Sequence, residues 1–238
     1  MRYSRSDPRD RSPAPRSPEQ ATVGLRRRYA APAALWLIAA AIFIFSTFLA
    51  HFYDRFPGDE RLTDALQRVD VPALGGYLAF VNALGNVWLH AALVVGVALL
   101  LGLMRAGWES LLALYTFVPS LLNGVVKDWV VRPRPSEELV NVPDSIAGFS
   151  FPSGHTVSTA ALFIVLFFAV SAVVRHRGLR WLLQAGCLLM VVSAGAARVY
   201  IGVHWPSDAI AGYLLMALLL VPLLYLYVAR RSPGSHSK

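Results

Sequence analysis

Six apolar stretches, most of them long enough to cross a hydrocarbon layer as a helix, decide what this chain can fold into. They run over 29–50, 87–104, 108–126, 154–174, 181–197 and 208–228, and a bilayer core of about 30 Å asks for roughly 20 apolar residues of helix. A soluble domain of 238 residues does not carry 56% hydrophobic residues with only 15% charged ones. The pattern instead predicts an all-α integral membrane protein of six transmembrane helices.

The connecting segments predict how the spans are oriented. Between Met1 and Arg28 there are eight Arg against three acidic residues. Arg105, the loop holding Arg175, His176, Arg177 and Arg180, and the tail from Arg230 to Lys238 are basic as well. With six spans these four segments share one side, and the positive-inside rule makes that side cytoplasmic. The net charge of +8 therefore reads as orientation and attraction to anionic lipid. No basic helix face is present that would suit nucleic acid.

The expected organisation is a disordered basic cytoplasmic tail over 1–28, a six-span domain over 29–229 and a polar cytoplasmic tail over 230–238. The tail is too poor in apolar residues to offset its ordering entropy. The run after Arg26, Arg27 and Arg28 is too long, and too far from Met1, for a secretory leader, so a retained span is expected. Residues 51–86 read as an extramembrane loop with a short interfacial helix leading into the second span. Pro119 and Gly124 are tolerated irregularities of the third span, which should stop near Val131 because Pro133 and Pro135 push Arg132 and Arg134 toward extended backbone. Pro206 suits the first turn of the last span, where a missing N–H costs nothing. The one cysteine, Cys187, reads as a buried small apolar residue. Trp36, Trp88, Trp129, Trp181 and Trp205 read as interfacial anchors, and no internal repeat is present.

Chemistry concentrates on the side opposite the basic loops. Pro152-Ser153-Gly154-His155 places a hydroxyl, a glycine and an imidazole at the start of the fourth span. A helix N-terminus there offers free N–H groups and partial positive charge to a phosphate. Ser153 could cap that helix, and Gly154 lets a ligand approach the backbone. The loop before it carries Lys127 and Arg134, and the loop before the last span carries Arg198, His204 and Asp208. Phosphoryl transfer asks for cations and N–H donors placed around a dianion, and Lys127, Arg134 and Arg198 are candidates for it. Asp208 lies four residues beyond His204, within reach if a helix starts at Pro206. It could then fix the imidazole tautomer and stabilise the cation formed when His204 attacks phosphorus. His155 could act as general acid and then general base. Arg132 reads as a snorkelling anchor, competing with Arg134 for the catalytic register because the sequence repeats Arg-Pro, and His51, His90, His176 and His236 read as structural. Three neighbouring cations oppose a divalent ion, so neither a metal nor another cofactor is expected.

Three segments in this order, Lys127 with six residues before Arg134-Pro135, then Pro152-Ser153-Gly154-His155, then Arg198 with His204 and Asp208, resemble the signature of the phosphatidic acid phosphatase type 2 superfamily. They span the 82 residues from Lys127 to Asp208, and Ala197 stands where that family usually has Ser. The resemblance implies a membrane lipid phosphatase acting through a phosphohistidine on His204, with Ser153 and the Gly154 N–H as further donors. Its substrate would be amphiphilic, a lipid phosphate monoester or polyprenyl diphosphate, met at the headgroup level of the bilayer. The short loops leave no large domain for a soluble substrate. A lipid phosphotransferase using the same phosphohistidine, a vanadate-holding haloperoxidase and a non-catalytic membrane scaffold are the alternatives. The expected location is a bacterial cytoplasmic membrane, with the site facing outward.

Overall fold

The computed structural model describes residues 18–142 and 147–231, with side chains from Ala30 onward. Every regular element among them is a helix. In chain order these are α1 (Pro18–Phe52), α2 (Asp59–Gln67), α3 (Pro72–Leu84), α4 (Val87–Leu103), α5 (Gly107–Tyr115), α6 (Phe117–Val130), α7 (Gly154–Val173), α8 (Arg177–Tyr200) and α9 (Pro206–Arg231). The chain divides after Ala39 into two units, and the one from Ala40 onward holds the core and the site. Of the tail expected over 1–28 only the backbone from Pro18 is described, and of the tail over 230–238 only Arg230 and Arg231, which end α9. His236 lies outside the described residues.

Five stretches are long and apolar enough to cross a membrane: Ala30–Phe52, Gly107–Val130, Gly154–Val173, Arg177–Tyr200 and Pro206–Arg231. A sixth forms only if α3 and α4 count as one span, bent by 74°. The protein is thus a multi-pass, all-helical membrane protein. The interfacial helix expected over 51–86 is two helices, α2 and α3. Asn86 starts α4 afresh, its side-chain oxygen accepting from the N–H groups of Trp88 at 3.1 Å and Leu89 at 3.4 Å, which satisfies two orphan donors. The third span breaks at Thr116 because Pro119 has no N–H to offer the carbonyl of Tyr115. It stops where expected, at Val131, which takes a left-handed φ of 56°.

Helix α7 carries the core. Val157, Ala160, Ala161, Val165 and Ala169 are buried along it, small enough for α6, α8 and α9 to pack closely, as helices do in lipid where burial supplies no drive. Gly212 makes the tightest approach: a Cβ there would lie 2.9 Å from the carbonyl of Ser153, so α9 crosses the start of α7 only because position 212 has no side chain. Outward faces are apolar, as at Leu99, Leu103 and Val192. Cys187 is buried as expected. Trp88, Trp129 and Trp181 are exposed at helix ends, but Trp205 is buried at 2% exposure. That expectation is corrected: Trp205 precedes the first turn of α9 and packs inside.

Candidate active site

The site is built where α6 ends, α7 and α9 begin and the loops between them meet. The left-handed Val131 turns the chain sharply, a strained conformation for a β-branched residue. Beyond it Arg132 and Arg134, two apart on extended backbone, take different courses. Arg132 goes inward and is 1% exposed. Its Nη1 donates to Asp208 Oδ1 at 2.6 Å and Ser207 Oγ at 2.9 Å, its Nη2 to Asp59 Oδ2 at 3.1 Å, and its Nε to the carbonyls of Tyr53 and Asp54 at 3.2 and 3.1 Å. A snorkelling anchor keeps its head in water; Arg132 does the reverse. Arg134 turns to His204, its Nη1 donating to the Val203 carbonyl at 2.8 Å and lying 3.2 Å from His204 Nε2.

His204 is 2% exposed, with Arg134 at one ring nitrogen and Asp208 facing the other, Nδ1, which has no hydrogen-bond partner among the described residues. Its Nδ1 faces Asp208 Oδ2 at 3.5 Å, longer than a good hydrogen bond. The same carboxylate oxygen accepts from the Trp205 N–H at 2.9 Å. An arginine only donates, so the Arg134 contact leaves Nε2 as the acceptor and puts the ring proton on Nδ1, toward Asp208. Asp208 thus lies on the Nδ1 side of the ring, where a helix starting at Pro206 is expected to put it, but 3.5 Å away and short of a hydrogen bond. Burial, and after it the charges of Arg198, Lys127 and Arg134, hold the His204 imidazole well below its ordinary pKa. Burial also lowers the Arg134 guanidinium, against the pull of Asp208.

The remaining cations have neutral partners. Lys127 Nζ donates to the Phe149 carbonyl at 2.6 Å and to that of Ser150 at 3.4 Å. Arg198 is buried on α8 and donates through Nη1 to the Asn82 side-chain oxygen. Its Nε has no partner among the described residues. Asn82 lies near the end of α3, so the bent helix pair supplies a residue to the site that no motif announced. Gly85, at the bend, is obligatory in space, because a Cβ there would strike the His155 ring. His155 opens α7 and senses the charges of Arg198, His204 and Arg134.

Ser153 stands at the N-cap of α7 as expected, but its hydroxyl does not cap the helix. It accepts from Thr156 Oγ1 at 2.9 Å, while its N–H donates to the Asp208 carbonyl at 3.0 Å, joining the first turns of α7 and α9. Gly154 faces Asn123, whose amide nitrogen would be 3.1 Å from a Cβ at 154. Asn123 sits one turn before Lys127 and is buried. Lys127, Arg134, His155, Arg198, His204 and Asp208 are thus linked by contact or charge. Sequence reasoning favoured the wrong role for Arg132 and missed Asp59, Asn82 and Asn123. The Arg-Pro repeat was a signal for Arg132, and the i to i+4 spacing from Lys127 one for Asn123; Asp59 and Asn82 had none. Among the described residues the other histidines do not join the cluster by hydrogen bonds: His51 stacks on Trp129, and His176 caps α8 by accepting from the Leu179 N–H.

These features define a class: a polytopic helical membrane protein in which cations with neutral partners surround a buried imidazole. A sequence model of the PAP2 superfamily matches residues 108–232, and the chain belongs to that superfamily. It is 31% identical over 167 residues to phosphatidylglycerophosphatase B of Bacillus subtilis, covering 68% of this chain and 79% of that protein. It is 29% identical over 153 residues to undecaprenyl-diphosphatase of Sulfolobus acidocaldarius, covering 61% of this chain and 66% of that protein. The fold matches the crystal structure of the transmembrane PAP2-type phosphatidylglycerolphosphate phosphatase of Bacillus subtilis with a TM-score of 0.69 at 23% identity, over 84% of this chain and 98% of that one. Membership makes the chain a membrane lipid phosphatase, a hydrolase of phosphoric esters or diphosphates.

Proposed function

We propose that the chain hydrolyses a lipid phosphate monoester or a polyprenyl diphosphate through a phosphohistidine on His204, at the non-cytoplasmic face of the membrane. One observation carries this reading: Arg134 touches His204, Lys127 and Arg198 bring their charges to bear on it, and all three have carbonyl, amide or imidazole hydrogen-bond partners rather than carboxylates. Their charge is left for an anion.

In the first step the Nε2 lone pair of His204 attacks phosphorus and the bond to the leaving oxygen breaks. That oxygen takes the electron pair and a proton from His155. Asp208 keeps the Nδ1–H in place and stabilises the imidazolium. Lys127, Arg134, Arg198, Ser153 and the Gly154 N–H hold the equatorial oxygens, where charge spreads in the transition state. In the second step His155 takes a proton from water as that water attacks phosphorus. The P–N bond breaks, releasing phosphate and restoring His204. The cations supply the stabilisation a divalent ion would otherwise give and repel such an ion, so turnover should survive a chelator.

The basic segments favour cytoplasmic termini and a site at the headgroup level of the opposite leaflet. There the phosphate enters the polar cluster while the tails stay in lipid. The names of the relatives direct the test: phosphate release from phosphatidylglycerophosphate, phosphatidic acid and undecaprenyl diphosphate, by purified protein in detergent with chelator, against His204→Ala. The expected result is release that the variant lowers by about 10³-fold or more. Release unchanged in His204→Ala would overturn the mechanism; transfer of phosphate to an added alcohol in preference to water would identify a phosphotransferase.

A further inference from the structure

The structure reaches past His204 and Asp208 to a third layer that the phosphatase reading does not use. Asp208 divides its two oxygens, Oδ1 going to Arg132 at 2.6 Å and Oδ2 to His204 Nδ1 at 3.5 Å. Behind Arg132 stands Asp59, buried at 3% exposure, 3.1 Å from Nη2. Asp59 also accepts from the Ser207 N–H at 3.0 Å and Ser207 Oγ at 2.7 Å, and so clamps the first turn of α9 from α2. The Arg132 guanidinium lies 4.5 Å from the Phe56 ring centroid and 5.9 Å from that of Phe151. Water is kept from these charges, and unscreened charges act strongly on their neighbours.

We propose that Arg132 is a positioning residue of the reaction: it fixes the Asp208 carboxylate against His204 and, balanced by Asp59, sets how much of that carboxylate's charge the imidazole feels. The proposal rests on His204 being the nucleophile. The order of charge is Asp59 negative, Arg132 positive, Asp208 negative, then the imidazole. His204 is faced by Asp208 of α9, Arg134 of the loop after α6, Lys127 of α6, Arg198 of α8 and His155 of α7. Asp208 is the one carboxylate in that set, so whatever dims or brightens its charge moves the imidazole. A lysine could not serve at 132, because one ammonium does not reach two carboxylates and two carbonyls in a planar fork.

The two neighbours of Asp208 then give opposite signs. Removing the positive charge at 132 leaves the Asp208 charge at full strength and makes His204 more basic. Removing the negative charge at 59 leaves Arg132 uncompensated and makes His204 less basic. The experiment is the pH profile of kcat/KM, which reports the free enzyme, measured in detergent on undecaprenyl diphosphate or phosphatidic acid, whichever the wild type hydrolyses. The proteins are wild type, R132Q, R132K, D59N and H204A. R132Q should move the acid limb up by about one pH unit, and D59N should move it down. R132K keeps the charge and loses the fork, so kcat should fall about 10- to 100-fold with KM nearly unchanged and the limb in place. Should R132Q fail to fold, D59N and R132K carry the test. An R132Q or D59N that loses activity with no shift of the limb, or an R132K with wild-type kcat, would overturn the proposal. Turnover surviving in H204A would instead sink the nucleophile reading on which it rests.

Discussion

The two ends of α9 hold arginines in opposite ways. At its first turn the cluster around His204 gathers Lys127, Arg134 and Arg198 on neutral partners, with Asp208 already engaged by Arg132. At its last turn Arg231 pairs at 2.5 Å with Glu109, a carboxylate buried on α5 that also accepts from the Tyr227 hydroxyl at 2.5 Å, and Arg230 lies 4.8 Å over the Trp108 ring. One end leaves positive charge unspent and the other cancels it locally. A membrane protein gains nothing in stability from unpaired buried cations, so the first end is arranged for an anion and the second for holding helices together.

Substitutions on the two ends test that contrast most directly. Arg134→Ala or Arg198→Ala should each lower kcat/KM by about 10²- to 10³-fold, as the loss of one transition-state donor does elsewhere. Arg230→Ala should leave kcat/KM within about twofold, because a cation over an exposed ring contributes about 0.5–1 kcal/mol at most to stability. Comparable losses at both ends, in initial-rate assays on one lipid phosphate, would erase the distinction.

Glycines sharpen it further. Gly85→Ala drives a methyl into the His155 ring, and a misplacement of about 1 Å at a reacting group costs on the order of 10²-fold. Gly102→Ala, at the end of α4 away from that bend, meets only Ser110 Oγ at 3.7 Å, an ordinary contact. It should leave rate and melting temperature near wild type. Kinetics and thermal unfolding of the pair check both halves.

The sequence made the helices and the motif residues legible because both are local patterns. Apolar runs mark spans by length, and Pro119, Pro133 and Pro206 mark breaks and starts by what their rings forbid. What it hid depends on burial across distant segments. Arg132 looks like any arginine at a span end until Asp59, 73 residues earlier, and Asp208, 76 later, are folded onto it. Asn82 reads as an unremarkable polar residue until the bend at Gly85 brings it to Arg198, 116 residues on. Trp205 was misread for the same reason, since position near a span end does not say which way a ring points.

At the paired end the expected effects are on stability. Tyr227→Phe removes one donor from buried Glu109 while leaving Arg231, which should cost about 1 kcal/mol and leave kcat/KM unchanged. A lower melting temperature with full activity is the expected pair of readings; lost activity would tie that end to the site.

The smallest effect concerns the pH dependence of stability, and its sign follows from His204. Burial and three cations hold the folded imidazole well below its ordinary pKa, whereas in the unfolded chain it titrates near about 6.5. Below that value the unfolded state binds a proton that the folded state does not, so stability rises with pH. The contribution is complete above about pH 6.5 and is lost as the pH falls below it, at about 1.4 kcal/mol per pH unit for one proton. No carboxylate needs to titrate for this, so the effect separates from general acid unfolding by comparison with His204→Gln. Melting temperatures of the two proteins in detergent between pH 8 and 5 should diverge, the wild type falling more steeply on the acid side. Parallel curves would mean that the folded imidazole takes up its proton as readily as the unfolded one. The cations around it would then be neutralised by some other group, and the contrast between the two ends of α9 would lose its basis.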